Sequence, residues 1–181
     1  MAPVQCAKPL NAASHPSFRI GHGYDLHRLD ARSPKGTGRV LVLGGVKFPD
    51  HPTGPISHSD GDAVLHAVTD AILSAAGESD IGQLFPDDDA RNEGVDSAVF
   101  LREAAQRMGR AGFDVGNIDI TVICERPKLS PHKQAMLANI ASAIGCEPAR
   151  INIKGKTHEK VDAVGEGRAV EVHAVVLLSL R

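Results

Sequence analysis

The 181-residue chain has the length and composition of one folded domain, with 42% apolar, 23% charged and only 3% aromatic residues. Its formal net charge is −2, and basic and acidic residues are mixed along the sequence, which argues against a surface for duplex nucleic acid or an anionic membrane. The three cysteines share no close spacing, so neither a disulfide framework nor a thiolate zinc site is expected.

The N-terminal segment differs from the rest of the chain. Residues 1–17 are small, polar and free of acidic side chains, which suits a disordered tail or the remnant of an organellar transit peptide. No apolar run approaches the roughly 18 residues that a membrane span needs, so no membrane partner is expected. We therefore expect a tail over residues 1–17 and a single domain over residues 18–181.

The first half of this domain has the pattern of two strands and a helix. FRIGHGYDLH (18–27) and RVLVLGGVKF (39–48) are short apolar segments joined by a polar loop that contains glycine and proline. After the loop PDHPTGPIS, the segment HSDGDAVLHAVTDAILSAAG (58–77) is rich in helix formers. Ser59 and Asp62 have the spacing of a capping box, which predicts that the helix begins there.

The second half alternates between helices and strands. The long connection ESDIGQLFPDDDARNEGVD leads to Ser97, a predicted cap for the helix AVFLREAAQRMGRAG. NIDITVICE (117–125) alternates as a half-buried strand, HKQAMLANIASAIG (132–145) is a third helix, and RINIKGK and GRAVEVHAVVLLSL close the chain as strands. The order ββααβαββ predicts an α+β fold, a single sheet of mixed strands covered on one face by helices in a ferredoxin-like sandwich.

A candidate metal site lies in GHGYDLH. Asp25 and His27 are two positions apart on a strand, so both leave the same face with Cα atoms roughly 6.6 Å apart, within reach of one ion. His66 shares a helical face with Asp62 and Asp70, either of which could orient it. An Asp-His-His set leaves a fourth tetrahedral position open, as a catalytic zinc site requires. The alternative is a solvated strand face and an ordinary helix histidine.

Other segments carry groups suited to phosphate. His58 precedes a helix N-terminus, where free N–H groups favour anions. Thr157, His158 and Glu159, among lysines and glycines, supply the hydroxyl, ammonium and carboxylate groups that a phosphate and its cation need. FPDDDA offers carboxylates and CERPKLSPHK offers basic side chains. Taken singly, these segments are more often an ordinary helix start, an acidic loop and a basic connector.

Read together, five motifs point to one family. The ordered series GHGYDLH, SHSDGDAVLHAVTDAIL, DIGQLFPD, RPKLSPH and KTHEKVDAVGEG closely resembles the 2-C-methyl-D-erythritol 2,4-cyclodiphosphate synthases of the non-mevalonate isoprenoid pathway, from Arg19 to Leu178. The resemblance implies a phosphorus–oxygen lyase that converts 4-diphosphocytidyl-2-C-methyl-D-erythritol 2-phosphate to 2-C-methyl-D-erythritol 2,4-cyclodiphosphate and releases CMP. It also implies a homotrimer with active sites at the subunit interfaces. Residues 18–181 would form one catalytic domain of that trimer.

The resemblance further implies roles for individual residues. Asp25, His27 and His66 would hold Zn²⁺, and Glu159 would bind Mg²⁺ or Mn²⁺ together with the substrate diphosphate. His58 and Thr157 would be catalytic, because they resemble groups that stabilise the transition state. The cytidine pocket, Cys124 to Ser130, would be contributed by a neighbouring subunit. The implied substrate contacts as a whole are Asp25, Leu26, His27, His58, Ser59, Asp80, Ile81, Gly82, Phe85, Pro86, Asp87, Asp88, Asp89, Cys124, Glu125, Arg126, Pro127, Lys128, Leu129, Ser130, Lys156, Thr157, His158 and Glu159.

Two departures and two alternatives accompany the resemblance. KTHE and the short DAVGEG replace the TTTE and GFTGRGEG of many bacterial members, so an arginine that binds phosphate in their central cavity is absent, which argues against regulation there by an isoprenoid phosphate. The KTHEKVD form is similar to plant-type members; the compartment would be the plastid stroma in a plant or alga and the cytoplasm in a bacterium. The competing functions are a zinc hydrolase that activates water and a non-enzymatic metal- or nucleotide-binding trimer.

Overall fold

The computed structural model describes residues 17–181, so the tail predicted over residues 1–17 lies outside the described residues except for Ser17. The strands are β1 Phe18–Ala31, β2 Leu41–Leu43, β3 Val46–Phe48, β4 Thr53–Pro55, β5 Phe113–Ile123, β6 Ile151–Lys156 and β7 Ala169–Leu180. The helices are α1 Ala63–Ala76, α2 Ile81–Leu84, α3 Ala98–Arg110, α4 Lys133–Ile144 and α5 Asp162–Gly165. No helix within residues 17–181 is both long and apolar enough to cross a membrane.

Five of the strands form one mixed sheet in the order β4-β1-β7-β5-β6. The β5–β6 pair is parallel and the other neighbours are antiparallel, with Asp25 opposite Val172 in the β1–β7 pair. Helices α1, α3 and α4 pack on one face of this sheet, so alternate residues of β7, from Val170 to Leu178, are buried. This arrangement confirms the predicted α+β class with a mixed sheet flanked by helices.

Several predicted boundaries were wrong. The segment RVLVLGGVKF is not one strand, because Gly44 and Gly45 both have positive φ angles, 58° and 73°, and fold it into the hairpin β2–β3 outside the main sheet. Strand β1 continues to Ala31 instead of ending at His27, and two predicted loops contain the strand β4 and the helix α2. Two adjacent glycines between apolar residues are a hairpin signal that the sequence already carried.

The cap of α1 is Asp62, and the predicted capping box on Ser59 was wrong. The Asp62 carboxylate accepts hydrogen bonds from the Val64 and Leu65 N–H groups, each at 3.1 Å. It also accepts from the N–H groups of Gly44 at 2.9 Å and Gly45 at 2.6 Å. Burial raises the pKa of Asp62, although these donors oppose the shift. One buried carboxylate therefore joins the start of α1 to the β2–β3 hairpin.

The glycines of GHGYDLH let α1 lie directly on β1. A Cβ atom at Gly21 would come within 2.0 Å of the Ala71 carbonyl oxygen, and one at Gly23 within 1.8 Å of the Ala67 carbonyl oxygen. No side chain fits into such gaps, so the helix backbone can approach the strand this closely only at glycine. The contact brings the middle of α1 over the strand segment that holds Asp25.

We expect Gly23→Ala to lower the free energy of unfolding by about 3 kcal/mol, because α1 must move away from β1 to admit the methyl group. Urea unfolding measures this change. The matched control is Gly109→Ala inside α3, where the nearest atom to a new Cβ belongs to the flexible Arg181 side chain at 3.4 Å. The control should keep or slightly raise the stability, since alanine favours a helix. Equal stabilities for the two variants would contradict the close-approach interpretation.

Candidate metal and phosphate site

Three side chains from β1 and α1 meet above the sheet. Asp25, His27 and His66 each offer one ligand atom, and these atoms all lie within 4.8 Å of one another. The Asp25 Oδ2 atom is 2.8 Å from His27 Nδ1 and 3.3 Å from His66 Nδ1. Asp25 and His27 share a face of β1, as predicted, and His66 reaches them because α1 packs on that face. The predicted cluster is therefore brought together in the fold.

The donor set fits a divalent metal ion. Asp25 Oδ2 and His27 Nδ1 are both buried and, among the described residues, neither has a hydrogen-bond partner of acceptable geometry. Leaving such atoms unpaired is costly unless something else binds them. One carboxylate oxygen and two imidazole nitrogens are the ligands that a three-coordinate protein site offers to a transition metal. These residues could bind a metal ion, and nothing in their chemistry opposes it.

The charges of the cluster also suit a cation. Burial disfavours the ionised form of Asp25, but its contacts with His27 and His66 outweigh burial and lower its pKa to about 2. Burial lowers the pKa of His66, but the Asp25 carboxylate outweighs that effect and raises the pKa above its ordinary value. Asp25 is thus a carboxylate at neutral pH and attracts positive charge into the cluster.

The residue that orients His66 is not the one predicted. Asp62 uses its carboxylate on backbone N–H groups, and Asp70 accepts a hydrogen bond from the Ile81 N–H at 2.8 Å. The His66 Nε2 atom lies instead 2.8 Å from the Ser97 hydroxyl and 3.3 Å from the Ser59 hydroxyl. Helical spacing suggested Asp62 and Asp70, but both were needed elsewhere in the fold.

The cluster opens into a cavity of about 630 Å³. Apart from the cluster itself, the predicted site residues that line this cavity are Leu26, His58, Ser59, Ile81, Gly82, Phe85 and Asp87. Phe100 and Glu93 line it as well, and sequence reasoning singled out neither for a function. The cavity thus lies between the Asp25, His27 and His66 cluster and the loop that connects α1 to α3.

Four predicted contacts in that loop, Asp80, Pro86, Asp88 and Asp89, do not line this cavity. Asp80 caps α2 by accepting the Gln83 N–H at 2.9 Å, and it lines a separate cavity. Asp89 pairs with Arg91 at 2.6 Å, and hydrogen bonds from Arg91 lower its pKa to about 2. These two side chains are engaged in organising the loop.

His58 has two hydrogen-bond acceptors. Its Nδ1 atom is 2.8 Å from the Glu93 carboxylate and its Nε2 atom is 3.2 Å from the Asp89 carbonyl oxygen. Because a carboxylate and a carbonyl oxygen only accept, the His58 ring faces a hydrogen-bond acceptor at each of its two nitrogens. Arg39 holds this corner by donating to Glu93 and to the His58 carbonyl oxygen at 3.2 Å. Neither Arg39 nor Glu93 carries a motif that would have identified it from the sequence.

A second cavity, of about 380 Å³, collects the other predicted residues. Those that line it are Cys124, Glu125, Pro127, Lys128, Leu129, Ser130, Lys156, Thr157 and Glu159. Arg126 and His158 are not among its lining residues; the His158 ring pairs instead with Asp162 at 2.9 Å. No residue lines both this cavity and the one beside Asp25, His27 and His66, so the two cavities, termed the second and the first half-site, are separate within one chain.

The segment after β6 has an unusual backbone. Glu159, Lys160 and Asp162 have φ angles of 52°, 64° and 62°, a region that non-glycine residues rarely occupy. Such conformations persist where the surroundings determine them, and they cluster at functional sites. The turn directs the Thr157 hydroxyl to the Glu159 carboxylate at 2.8 Å. Thr157 and Glu159 are thus held in one defined arrangement.

Cys124 is not a nucleophile in this cavity. Burial raises the pKa of its thiol to about 11, and the Sγ atom donates to the Pro127 carbonyl oxygen at 3.8 Å. A nucleophilic cysteine needs a lowered pKa, so the thiol remains protonated and inert.

A cluster of one carboxylate and two imidazoles, open to a cavity with both polar and apolar walls and built on a mixed α+β fold, defines a candidate metal-dependent enzyme. A family model described as the YgbB family matches residues 18–179. The chain therefore belongs to the YgbB family, which confirms the resemblance found in the motifs.

Similar proteins bear the synthase name, and a similar solved structure bears the name IspF. The chain is 49% identical over 176 residues to the chloroplastic 2-C-methyl-D-erythritol 2,4-cyclodiphosphate synthase of Catharanthus roseus, covering 95% of this chain and 72% of that one. It is 50% identical over 161 residues to the synthase of Ralstonia nicotianae, covering 89% and 92%. The structure of Plasmodium falciparum IspF in a CDP complex superposes with a TM-score of 0.79 at 39% identity, covering 93% and 99%.

Proposed function

We propose that the chain converts 4-diphosphocytidyl-2-C-methyl-D-erythritol 2-phosphate to 2-C-methyl-D-erythritol 2,4-cyclodiphosphate and CMP, as a cyclising phosphorus–oxygen lyase. The observation that carries the proposal is the cluster of Asp25, His27 and His66 at the wall of a cavity, in a chain whose relatives bear the synthase name. The 2-phosphate would attack the β-phosphorus within one substrate molecule, so the protein must align groups more than it must activate water.

The residues of the first half-site would bind the phosphates of the erythritol moiety. Asp25, His27 and His66 would hold Zn²⁺, which when bound would neutralise phosphate charge as a Lewis acid. The His58 ring adds an N–H donor beside the same cavity. The Ser59 hydroxyl and the backbone at Ile81 and Gly82 line the wall where the erythritol would lie. Preorganised donors of this kind lower the barrier by stabilising charge that develops in the transition state.

The residues of the second half-site would bind the cytidine diphosphate. Glu159 would hold Mg²⁺ or Mn²⁺ together with the diphosphate, and Thr157 would contact the transferred phosphorus group. The loop Cys124 to Ser130 would surround the cytosine through its backbone, with Lys128 facing phosphate. The CDP complex of the Plasmodium falciparum relative supports a nucleoside diphosphate as the ligand.

We propose a homotrimer because the two half-sites are separate and one face of the sheet is open. On that face Ile20, Tyr24, Leu26 and Val175 are 73%, 48%, 47% and 43% exposed. Several large apolar side chains left exposed on one face of a sheet are typical of an interaction surface. A neighbouring copy would bring its nucleotide half-site to the metal half-site of this chain. Each copy would then have the predicted ferredoxin-like sandwich fold, with its helices on the outside of the trimer and the open face of its sheet turned toward the neighbouring copies.

Two broader assignments follow the same proposal. Residues 18–181 would form one catalytic domain, acting on a cytidine diphosphate-linked small molecule without nucleic acid or membrane partners. The compartment would be the plastid stroma for a plant or algal chain and the cytoplasm for a bacterial one; one relative is named chloroplastic.

Product analysis by mass spectrometry, with CMP release measured in parallel, tests the function. The expected product is a cyclic diphosphate that contains no oxygen from labelled water. A zinc hydrolase would incorporate label and form no ring, and a non-enzymatic binding protein would bind substrate without releasing CMP. Either of the last two results would overturn the proposed reaction.

We expect Lys128→Met to raise the KM for the substrate by roughly 10- to 100-fold with a smaller effect on kcat, because one charge-assisted contact to phosphate is lost. Steady-state CMP release gives both constants. Lys35→Met, at an exposed lysine that lines neither cavity, is the matched control and should leave KM unchanged. An unchanged KM in Lys128→Met would remove this loop from the substrate site.

A further inference from the structure

Ser97 occupies the N-cap position of α3 but does not act as a cap. Its side chain makes no capping hydrogen bond to the helix, and the residue is completely buried. The hydroxyl points instead into the space between α3 and α1, where it contacts the Asp60 carboxylate and the His66 ring. A buried serine that gives up its capping bond must gain its hydrogen bonds elsewhere, and here its partners are Asp60 and His66, a member of the candidate metal site.

The proton positions along this chain of contacts follow from the chemistry of its end. The Asp60 carboxylate only accepts, so the Ser97 hydroxyl donates its proton to Asp60. The Ser97 oxygen can then only accept from the His66 Nε2 atom at 2.8 Å, which makes that nitrogen the protonated one. In the neutral ring the remaining nitrogen, Nδ1, therefore carries the lone pair and faces Asp25 Oδ2.

The direction of these hydrogen bonds matters because Asp25 by itself favours the His66 tautomer that is protonated at Nδ1. Asp25 Oδ2 lies 3.3 Å from His66 Nδ1 and would stabilise a proton there, and a protonated nitrogen cannot bind a metal. The Asp60 carboxylate is held in place by the Asp62 N–H at 3.2 Å, and the Asp60 N–H donates to the Val95 carbonyl oxygen at 3.0 Å. The Asp60 carboxylate, which accepts the last hydrogen bond of the series from His66 through Ser97, is thus held in place by backbone groups.

We propose that Asp60 and Ser97 are positioning residues that hold His66 as the Nε2–H tautomer, with Nδ1 free for the metal ion. The inference rests on the proposed metal site. Hydrogen bonds to the second nitrogen of a ligating histidine commonly determine its tautomer and its basicity. The pair acts through His66 and does not touch the ion or the substrate.

Zinc affinity, measured on the whole protein by competition with a chromophoric chelator, tests the proposal. We expect Ser97→Ala to bind zinc roughly 10- to 100-fold more weakly than the unmodified chain. Asp60→Asn should bind about tenfold more weakly, because an amide can also donate and so no longer dictates the direction of the hydroxyl. Ser142→Ala, at an exposed serine of α4, is the matched control and should bind like the unmodified chain.

A second measurement separates orientation from a merely structural role. In the metal-free protein labelled with ¹⁵N-histidine, at a pH high enough to leave the His66 ring neutral, long-range proton–nitrogen NMR should show His66 protonated at Nε2 and not at Nδ1. In Ser97→Ala the population should move toward Nδ1–H, while circular dichroism stays unchanged. The His66 signals are identified by their absence from His66→Ala.

The outcomes distinguish this inference from the proposed function. If the unmodified chain binds no zinc, the proposed metal site itself is wrong. If it binds zinc, but Ser97→Ala and Asp60→Asn bind within twofold of it and keep the same tautomer, the positioning role is overturned and the metal site stands. Should Ser97→Ala fail to fold, the nearly isosteric Asp60→Asn decides by the same twofold limit.

Discussion

Replacing His66 with alanine is expected to abolish zinc retention and to lower turnover by roughly a thousandfold, since one of three ligands and several kcal/mol of charge stabilisation are lost. The fold should persist, because the ring forms a wall of a cavity and is not part of the apolar core. Zinc content by elemental analysis, turnover by CMP release and folding by circular dichroism give the three readouts.

The control for this variant is His51→Ala. His51 contacts the Thr53 carbonyl oxygen at 2.8 Å and lines neither half-site, so its loss should leave zinc content and turnover unchanged. Full activity of the unmodified chain after complete removal of metal would show that the Asp-His-His cluster serves another purpose.

Two inactive variants should restore activity when they are mixed. Under the proposed function, His66→Ala would damage the metal half-site and Glu159→Gln would damage the nucleotide half-site. The two cavities share no lining residue within one chain. If adjacent copies complete each site, random assembly gives each site an intact metal half and an intact nucleotide half about one quarter of the time. CMP release after co-expression, or after unfolding and refolding together, measures this recovery.

The matched controls are each variant co-expressed with itself, which should remain inactive at any concentration. A mixture that stays inactive, although it forms mixed oligomers by mass, would mean that the complete site belongs to a single chain. Activity would then no longer require a neighbouring copy, and the trimer proposal would lose its main support. The open face of the sheet is not sufficient evidence for a trimer.

The part of the site that lies within one secondary-structure element was predictable. The two-residue period of a strand places Asp25 and His27 on one face, and they do meet there. The predicted alternation of 117–125 is likewise seen in β5, where Ile118, Ile120 and Val122 are buried. These predictions depend on local geometry alone, which is why they survived.

Predictions that assigned a polar side chain to one partner were less secure. Ser59 and Ser97 were both expected to cap helices, but Asp62 caps α1 and the Ser97 hydroxyl turns to Asp60 and His66. A serine or aspartate has several partners of similar energy within reach, and the choice depends on which groups the fold buries beside it. Sequence spacing contains no information about those neighbours.

By itself the sequence determined the α+β class, the strand that carries Asp25 and His27, and the family, because periodicity and ordered motifs are properties of the chain. Only the tertiary structure decided that His66 reaches that strand, since this requires α1 to lie against Gly21 and Gly23 with no side chain between them. It also decided that Glu93 holds His58 and Ser97 holds His66. Contacts between residues far apart in sequence form only when the helices pack on the sheet, and packing is where their partners are selected.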